Sequence, residues 1–590
     1  TREEDVRRSA VEEIGMSSKK TSSQPTELPA AKKSALGFQR FTSSVLLVLF
    51  LVSAALALIR LDHTFFWDDE ALVGIVAKNL VQTGELTGWD GRNLLAYRNG
   101  GYLDEQLAPR DATLQFWITA ASFRTLGITT WAGRIPSVLM GLLALGLVGW
   151  ILRRTLALSN SHALFAFGLM ALSVVFLLNI RQCRYYALSL LSCLVLYHAH
   201  RRFVKLPRVA TLAYCIGAAA LVFYSQYLIG ACFIIAIGLV QILFHREALR
   251  QVGWPRVSLA FGAFGAAIVP FAFSHKIWVR PDLTATEPSS AGWVGEFFVR
   301  LGWNLRDVNE MGIFPWLLTL PLLWLVWRRR REEITRTVIL PWLVLAVAFV
   351  VLIAGLSPTR PGPNVASDAR YLLPILPFAC CLLGWMLAWW QSRIGTLAVM
   401  AVVALASATN LCSVIPPQLE LRWRLPAYVY ELAHDFPTGY RVTSGFLDQH
   451  GGTNDVVAVF PDFCTYPLMF YTGDRIRFGC LLNNTTQLPR EKLAALAAPL
   501  AQEDNFPDWL ILFGGQPTGA DFGRFLCRPH YHEGQLRRFT YRFVTNLHTF
   551  WFDTSRPEWS LHTFGPRTNF DANSESIFIY KRSPTLPEPQ

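Results

Sequence analysis

The chain has 590 residues, of which 52% are hydrophobic and 16% charged, whereas an ordinary soluble protein has about 25% charged residues. Its apolar residues gather into runs of roughly 18–20, the length that a helix needs to cross a bilayer. This excludes a soluble globular enzyme and a disordered protein. The net charge of +12 indicates basic cytoplasmic loops, and because no nucleic-acid-binding motif accompanies it, we expect no nucleic-acid partner.

Residues 1–40 are polar, mixed in charge and rich in Ser, Lys and Glu, which predicts a disordered cytoplasmic tail. Residues 41–412 hold the apolar runs and predict a polytopic α-helical membrane domain of about eleven spans. The predicted spans are 42–60, 135–152, 163–180, 185–200, 209–226, 227–244, 257–274, 312–327, 338–356, 371–390 and 394–412.

The segment 112–126 decides the topology. It is short and carries Gln115 and Arg124, so we expect an interfacial helix that does not cross. The basic clusters between the spans then share the side of the N-terminal tail, as the positive-inside rule requires. This places the N-terminus in the cytoplasm and predicts a multi-pass protein of the cell inner (plasma) membrane.

Two large segments are then expected outside the cytoplasm. The first outer loop, 61–134, is predicted to carry amphipathic helices. The C-terminal part, 413–590, is long enough for a separate domain. Its strand-like runs Asp455–Phe460, Trp509–Phe513 and Ser576–Tyr580, with helical stretches such as Arg490–Gln502 between them, predict an extracytoplasmic α/β domain.

Three consecutive acids, Asp68, Asp69 and Glu70, follow the first span. Asp68 is placed to cap a helix that runs along the membrane surface to about Thr83 and stops at Gly84. Acids at this position stabilise a helix N-terminus by about 0.3–1 kcal/mol. Alternatively, a carboxylate near the bilayer edge acts as a general base, because desolvation raises its pKa.

Four arginines lie near span ends on the predicted outer side, against the positive-inside bias: Arg134, Arg181, Arg184 and Arg370. Headgroup snorkelling explains any single one. Four together favour a phosphate ligand, because arginine binds phosphate through short, bidentate, charge-assisted hydrogen bonds. A carboxylate base and a phosphate-binding arginine set at one membrane face suit transfer from a lipid-linked phosphate to an acceptor hydroxyl.

Four motifs, in this order, resemble the GT-C membrane glycosyltransferases of the bacterial family 39 type, related to protein O-mannosyltransferases and the lipid A aminoarabinose transferase. The motifs are WDDEALVGIVAKNL at 67–80, GRIPSVLMG at 133–141, RQCRYYALSLL at 181–191 and RYLLPILP at 370–377. The resemblance covers roughly 40–412, and the C-terminal domain matches only loosely.

The resemblance implies a polyprenyl-phosphate-linked sugar donor, an extracytoplasmic site and inversion at the sugar carbon. The acceptor is a hydroxyl of a lipid, glycan or protein. It implies Asp69 as catalytic base, with Asp68 as its rival because this run has one acid more than the usual pair. The remaining expected site residues are Arg134, Arg184, Tyr185 and Arg370 for the donor phosphate and Glu70 for acceptor or sugar.

We expect no cofactor and no metal site. The loop RQCRYYALS lacks the Asp that the aminoarabinose and oligosaccharyl transferases place there, although the residues leave a divalent metal open. A transporter or flippase of lipid-linked sugars is the alternative function, but it needs polar groups at the bilayer midplane, where this chain is almost wholly apolar. A non-catalytic scaffold would leave the acids and arginines unexplained.

Overall fold

The computed structural model describes residues 30–97, 102–104, 106–274, 292–357, 369–413, 423–435, 438–479, 507–513, 539–550 and 574–584. Residues 46–590 form one compact unit, which holds every residue of the site. The described part is mostly helical. Its helices are α1 Ala30–Leu58, α2 Asp68–Thr83, α3 Leu114–Leu126, α4 Thr130–Trp150, α5 Asn160–Ala171, α6 Val174–Ile180, α7 Tyr186–Lys205, α8 Val209–Ser225, α9 Tyr227–Phe244, α10 Arg246–Val252, α11 Trp254–Ser274, α12 Gly292–Glu310, α13 Thr319–Arg328, α14 Leu340–Leu356, α15 Leu376–Ile394, α16 Thr396–Ala408, α17 Arg424–Ala433, α18 Gly439–His450 and α19 Thr465–Thr472.

Among the described residues, five helical segments are long and apolar enough to cross a membrane. They are Thr130–Thr155, Tyr227–Phe244, Trp254–Phe273, Thr335–Leu356 and Arg370–Ile394. Helices α5 and α6 make a sixth if they are counted as one span with a 55° bend. Other apolar helices at predicted positions are shorter than 18 residues, such as α8 and α16. The count of about eleven spans therefore stays a prediction, whereas α3, with 13 residues, has the short length expected of a helix that does not cross.

Helix α2 ends where predicted, because Gly84 at φ 81° ends it and donates its N–H to the Leu80 carbonyl. The environment of α2 differs from the expectation. Instead of lying on a membrane surface, α2 is buried from Asp69 to Leu80, because α3 and α19 pack against it. Phe470 of α19 comes so close that a Cβ on Gly74 would lie 3.0 Å from its ring.

The C-terminal region contains the predicted sheet. Its strands are β1 Val456–Phe460, β2 Arg477–Phe478, β3 Trp509–Phe513, β4 Phe539–Phe550 and β5 Ser574–Pro584, in the order β2-β1-β3-β5-β4. The pairs β1–β2 and β1–β3 are parallel, and β3–β5 and β5–β4 are antiparallel. Helix α19 connects β1 to β2, as a parallel pair requires. The predicted helix at Arg490–Gln502 lies outside the described residues.

Contacts from α19 and β2 fix this sheet to the first outer loop. The Tyr471 hydroxyl accepts the Phe66 N–H at 2.9 Å and lies 2.6 Å from the Thr130 hydroxyl. Asn93 donates to the carbonyls of Gly473 and Ile476 and accepts the Phe478 N–H at 2.8 Å. The α/β region is therefore held directly against the helix that carries the three acids.

Candidate active site

The three acids occupy the first turn of α2. The residue at the N-cap position is Trp67, with φ −82° and ψ 174°, and no side chain caps the helix. Asp68 is therefore the first helical residue rather than the predicted cap, in the first turn at the positive end of the helix dipole. Asp68 is half-buried, Asp69 is 4% exposed and Glu70 is fully buried.

Two arginines from distant segments meet on one oxygen of Asp69. Arg184 and Arg370 approach Asp69 Oδ2 to 3.1 Å and 2.7 Å. Arg184 also donates to the Asp69 carbonyl at 3.3 Å. The Arg370 side chain is 25% exposed, against 7% for Arg184. The structure thus brings together Asp69, Arg184 and Arg370, as the sequence predicts.

Each of these arginines lies over the tyrosine that follows it. The Arg184 guanidinium is 4.9 Å from the Tyr185 ring centre, and that of Arg370 is 5.9 Å from the Tyr371 ring centre. The two rings stack with their centres 6.2 Å apart and 12° between their planes. Because guanidinium groups are attracted to aromatic faces, the stacked pair orients both arginines toward Asp69.

Glu70 and Arg134 form a separate, fully buried pair. Arg134 Nε and Nη2 donate to the two oxygens of Glu70 at 2.8 and 2.6 Å, and the Cys183 N–H donates to Glu70 Oε1 at 2.7 Å. Arg134 Nη1 and Nη2 also donate to the carbonyls of Leu61, Thr64 and Phe65.

These contacts correct two expectations. Glu70 has no exposed surface for an acceptor or sugar, and the donors of Arg134 are occupied by protein acceptors instead of being directed at a phosphate. The pair instead joins α2, α4 and the loop that carries Arg184. The roles of Glu70 and Arg134 depend on their tertiary partners, which a sequence pattern does not specify.

Arg181 also has a structural place. It donates to the carbonyls of Leu56, Ala57 and Ile59, and to that of Arg60, at 2.8–3.1 Å. These groups lie at the C-terminal end of α1, where the last carbonyls of a helix lack intrahelical donors and attract a cation. Arg181 therefore caps α1 and lies apart from Arg184 and Arg370.

Burial changes the charge state of the acidic turn. Burial and the neighbouring Asp69 carboxylate raise the pKa of Asp68 well above its usual range. Burial acts to lower the pKa of Arg184, but the Asp69 carboxylate together with Tyr185, Tyr186 and Asp111 outweighs it and holds that pKa well above its ordinary value.

Two further tyrosines belong to this site and were not predicted. Tyr371 matches Tyr185, and the repeated Arg-Tyr dipeptide at 184–185 and 370–371 was the signal for it. The buried Tyr102 hydroxyl has no hydrogen-bond partner among the described residues. Burial and then Asp111 raise the pKa of Tyr102, and the charges of Arg184 and Asp69 also act on it.

Within the described ranges, no group of three or more His, Cys, Asp and Glu side chains is arranged to hold a metal ion. The expectation of a metal-free site remains a prediction.

No protein-family model and no curated protein sequence matches the chain. Among solved structures it is similar to ArnT from Cupriavidus metallidurans bound to undecaprenyl phosphate, with 14% identity and a TM-score of 0.49 over 83% of this chain and 94% of that one. It is also similar to the Archaeoglobus fulgidus oligosaccharyltransferase, with 10% identity and a TM-score of 0.49 over 79% and 67%. A third similarity is to the arabinosyltransferase EmbB from Mycobacterium smegmatis, with 16% identity and a TM-score of 0.40 over 62% and 32%.

These structures are of the class that the sequence motifs resemble, the GT-C membrane glycosyltransferases. The identities are low and every TM-score is below 0.5, so these likenesses do not establish what this chain binds or transfers.

Proposed function

We propose that the chain is a membrane glycosyltransferase. It moves a sugar from a polyprenyl-phosphate-linked donor to an acceptor hydroxyl, with inversion at the sugar carbon. Asp69 is the base, and Arg184 and Arg370 hold the donor phosphate. The observation that carries this proposal is the meeting of Arg184 and Arg370 on one oxygen of Asp69, at 3.1 and 2.7 Å.

That arrangement matches the charge of such a donor. Asp69 carries −1, Arg184 and Arg370 each carry +1, and a phosphodiester that links lipid and sugar carries −1, so these four groups balance when the donor is bound. Two guanidinium groups offer several N–H donors in planar forks, the geometry that phosphate oxygens accept. The partial exposure of Arg370 gives the phosphate a way to reach the pair.

The reaction is a single displacement. The acceptor oxygen attacks the anomeric carbon and its proton passes to Asp69. The bond between the anomeric carbon and the phosphate oxygen breaks, and the electron pair leaves with the polyprenyl phosphate. The leaving phosphate gains negative charge, which Arg184 and Arg370 stabilise electrostatically. Because the attack opposes the leaving group, the sugar carbon inverts.

The same arginines control the strength of the base. While both donate to Asp69 Oδ2, they favour the carboxylate over its protonated form. A donor phosphate that takes over these hydrogen bonds leaves Asp69 with less stabilisation and hence a higher proton affinity. Donor binding and activation of the base are thus linked in this proposal.

The membrane arrangement is part of the proposal. The basic loops indicate a cytoplasmic N-terminus, about eleven spans and an extracytoplasmic site. The setting is the inner (plasma) membrane, and the acceptor belongs to a lipid, a glycan or a protein.

The test of the base uses Asp69→Asn and Asp68→Asn in the full-length protein with a radiolabelled polyprenyl-phosphate sugar. Asp69→Asn should cut transfer by about 10²–10⁴-fold, while the donor binds equally well or more tightly because both arginines lose a competing anion. Asp68→Asn should have a milder effect. The opposite ranking would move the base to Asp68, and full activity in the double variant would refute both.

The test of the phosphate site uses Arg184→Lys and Arg370→Lys. Lysine keeps the charge but loses the forked geometry, so donor binding should weaken by about 1.5–3 kcal/mol for each charged hydrogen bond lost. Arg124→Lys, on the exposed side of α3, is the matched control. Unchanged donor binding in Ala variants of both arginines would end the proposal.

A further inference from the structure

Arginines and tryptophans gather at the adjoining C-terminal ends of α13 and α15. Arg328 is the last residue of α13, and Arg393 is the last but one of α15. The rings of Trp324 from α13 and Trp389 from α15 meet edge to face with their centres 5.6 Å apart. The two helix ends therefore form one cluster.

Four arginines of this cluster each lie over one indole ring. The central guanidinium carbon is 5.0–5.7 Å from the ring centre in the pairs Arg328–Trp324, Arg329–Trp385, Arg330–Trp327 and Arg393–Trp389. A cation–π contact orients a guanidinium group without occupying its N–H donors as hydrogen bonds do. The rings thus hold the arginines in place while leaving them able to bind an anion.

The cluster carries positive charge that no carboxylate of the described residues neutralises. Arg329 pairs with Glu332 at 2.6 Å, whereas Arg328, Arg330 and Arg393 form no ion pair within the described ranges. These three arginines are exposed. Because arginine binds phosphate oxygens through charge-assisted hydrogen bonds, a phosphate group is the partner that fits them.

The exposed face of α13 and of the turn before it supplies an apolar surface that leads to the arginines. Leu317, Leu320, Trp324 and Trp327 recur every three or four residues and are 63, 77, 44 and 63% exposed. At 1.5 Å per residue, the ten positions from Leu317 to Trp327 cover about 15 Å. This is half of the roughly 30 Å hydrocarbon core of a bilayer, so the face matches an acyl chain in one leaflet.

We propose that the ends of α13 and α15 form a binding site for an anionic phospholipid. Its phosphate lies at Arg328 and Arg393, and one acyl chain follows the exposed face of α13. The basic loops predict that these helix ends face the cytoplasm, where the leaflet is anionic and where basic pockets between membrane helices bind lipid headgroups.

The apolar face that adjoins the arginines favours a lipid over a soluble phosphate. Tryptophans are also typical of the headgroup level of a membrane, which is where this site would hold the phosphate. The inference does not depend on the proposed glycosyl transfer.

The test measures lipid binding to the full-length protein by native mass spectrometry from a detergent with a neutral headgroup. Phosphatidylglycerol and phosphatidylcholine with identical acyl chains are compared, and phosphatidylglycerol should bind with a lower Kd. The double variant Arg328→Gln/Arg393→Gln should weaken phosphatidylglycerol binding about ten- to a hundredfold through loss of charged hydrogen bonds. Its binding of phosphatidylcholine should not change, which also shows that the fold is intact.

The matched control is Arg154→Gln/Arg256→Gln, which removes the same charge from exposed positions elsewhere on the predicted cytoplasmic side. It should leave the preference for phosphatidylglycerol unchanged. Trp389→Leu keeps every charge but removes the ring under Arg393, and it should also weaken phosphatidylglycerol binding, because the arginine loses its orientation.

Four results would each overturn the site. They are equal affinity for the two lipids, unchanged phosphatidylglycerol binding in Arg328→Gln/Arg393→Gln, an equal loss in the control pair, and displacement of the lipid by inorganic phosphate. An equal loss in the control pair would indicate general attraction by the basic loops, and displacement by inorganic phosphate would indicate a site for a soluble anion.

Discussion

The buried pair of Glu70 and Arg134 makes a sharp prediction about stability. Glu70→Gln removes one charge and replaces one acceptor oxygen by an amide that faces Arg134 donors, while the Cys183 N–H keeps a possible partner. Both side chains are at most 6% exposed, so the guanidinium is left buried without a counter-charge. Breaking such a pair on one side typically costs about 3–5 kcal/mol.

The free energy of unfolding is measured by SDS titration of the full-length protein, followed by circular dichroism. Glu85→Gln is the same substitution at an exposed position and should change stability by less than about 0.5 kcal/mol. Arg134→Met completes a double-mutant cycle, and the summed single losses should exceed the double loss by up to about 3 kcal/mol. Rescue is incomplete because Arg134 also serves the carbonyls of Leu61 and Phe65.

A different result would refute this reasoning. If Glu70→Gln left stability unchanged and selectively weakened acceptor binding, Glu70 would contact substrate as the sequence resemblance implies. If it lowered stability and donor binding together, the pair would be confirmed as the support of the Arg184 loop.

Three other predictions concern pH, packing and topology. Burial, and then the charge of Arg181, lower the pKa of His63 from 6.5 to about 3. Below about pH 6.5 the unfolded chain therefore binds a proton that the folded chain excludes. The free energy of unfolding should fall by about 1.4 kcal/mol per pH unit as the pH drops below that value. His63→Gln should reduce this slope in acid titrations. Gly74→Ala should lower the free energy of unfolding by about 1–3 kcal/mol through overpacking, because the added Cβ would meet Phe470 and Phe66. Gly146→Ala, where a Cβ would have nothing within 4 Å, should not destabilise the protein. A loss of stability confined to Gly146→Ala would contradict this prediction. A thiol placed at Lys581 in intact cells should react with an impermeant label and one at Arg330 should not, and the reverse result would invert the topology.

The sequence predicted those features that depend on local pattern. Helix α2 ends at Gly84 as expected, and β3 has the predicted bounds. Arg184 and Arg370 were predicted as part of a set of arginines, because arginines on the predicted outer side of the membrane run against the positive-inside bias and therefore indicate a function. The structural role of Arg134 was not predictable. Its partner Glu70 is 64 residues away along the chain, and Glu70 stands in the same acidic run as Asp69, so the sequence does not tell the two apart.

The burial of α2 inside the protein was not predicted for a related reason. The apolar face of α2 fits a membrane surface and a protein interior equally well, because both are apolar. The contacts with α3 and with α19, the latter through Tyr471 and Phe470, distinguish them.

The separation of α2 and α19 along the chain bears on biosynthesis. Phe66 and Tyr471 are bonded across 405 positions, so a ribosome completes the acidic turn long before it makes the helix that covers it. During that interval the carboxylates face lipid or water without their final neighbours. The proposed chemistry therefore becomes available only after α19 has been made, and a nascent chain should reach the membrane before it is able to consume its donor.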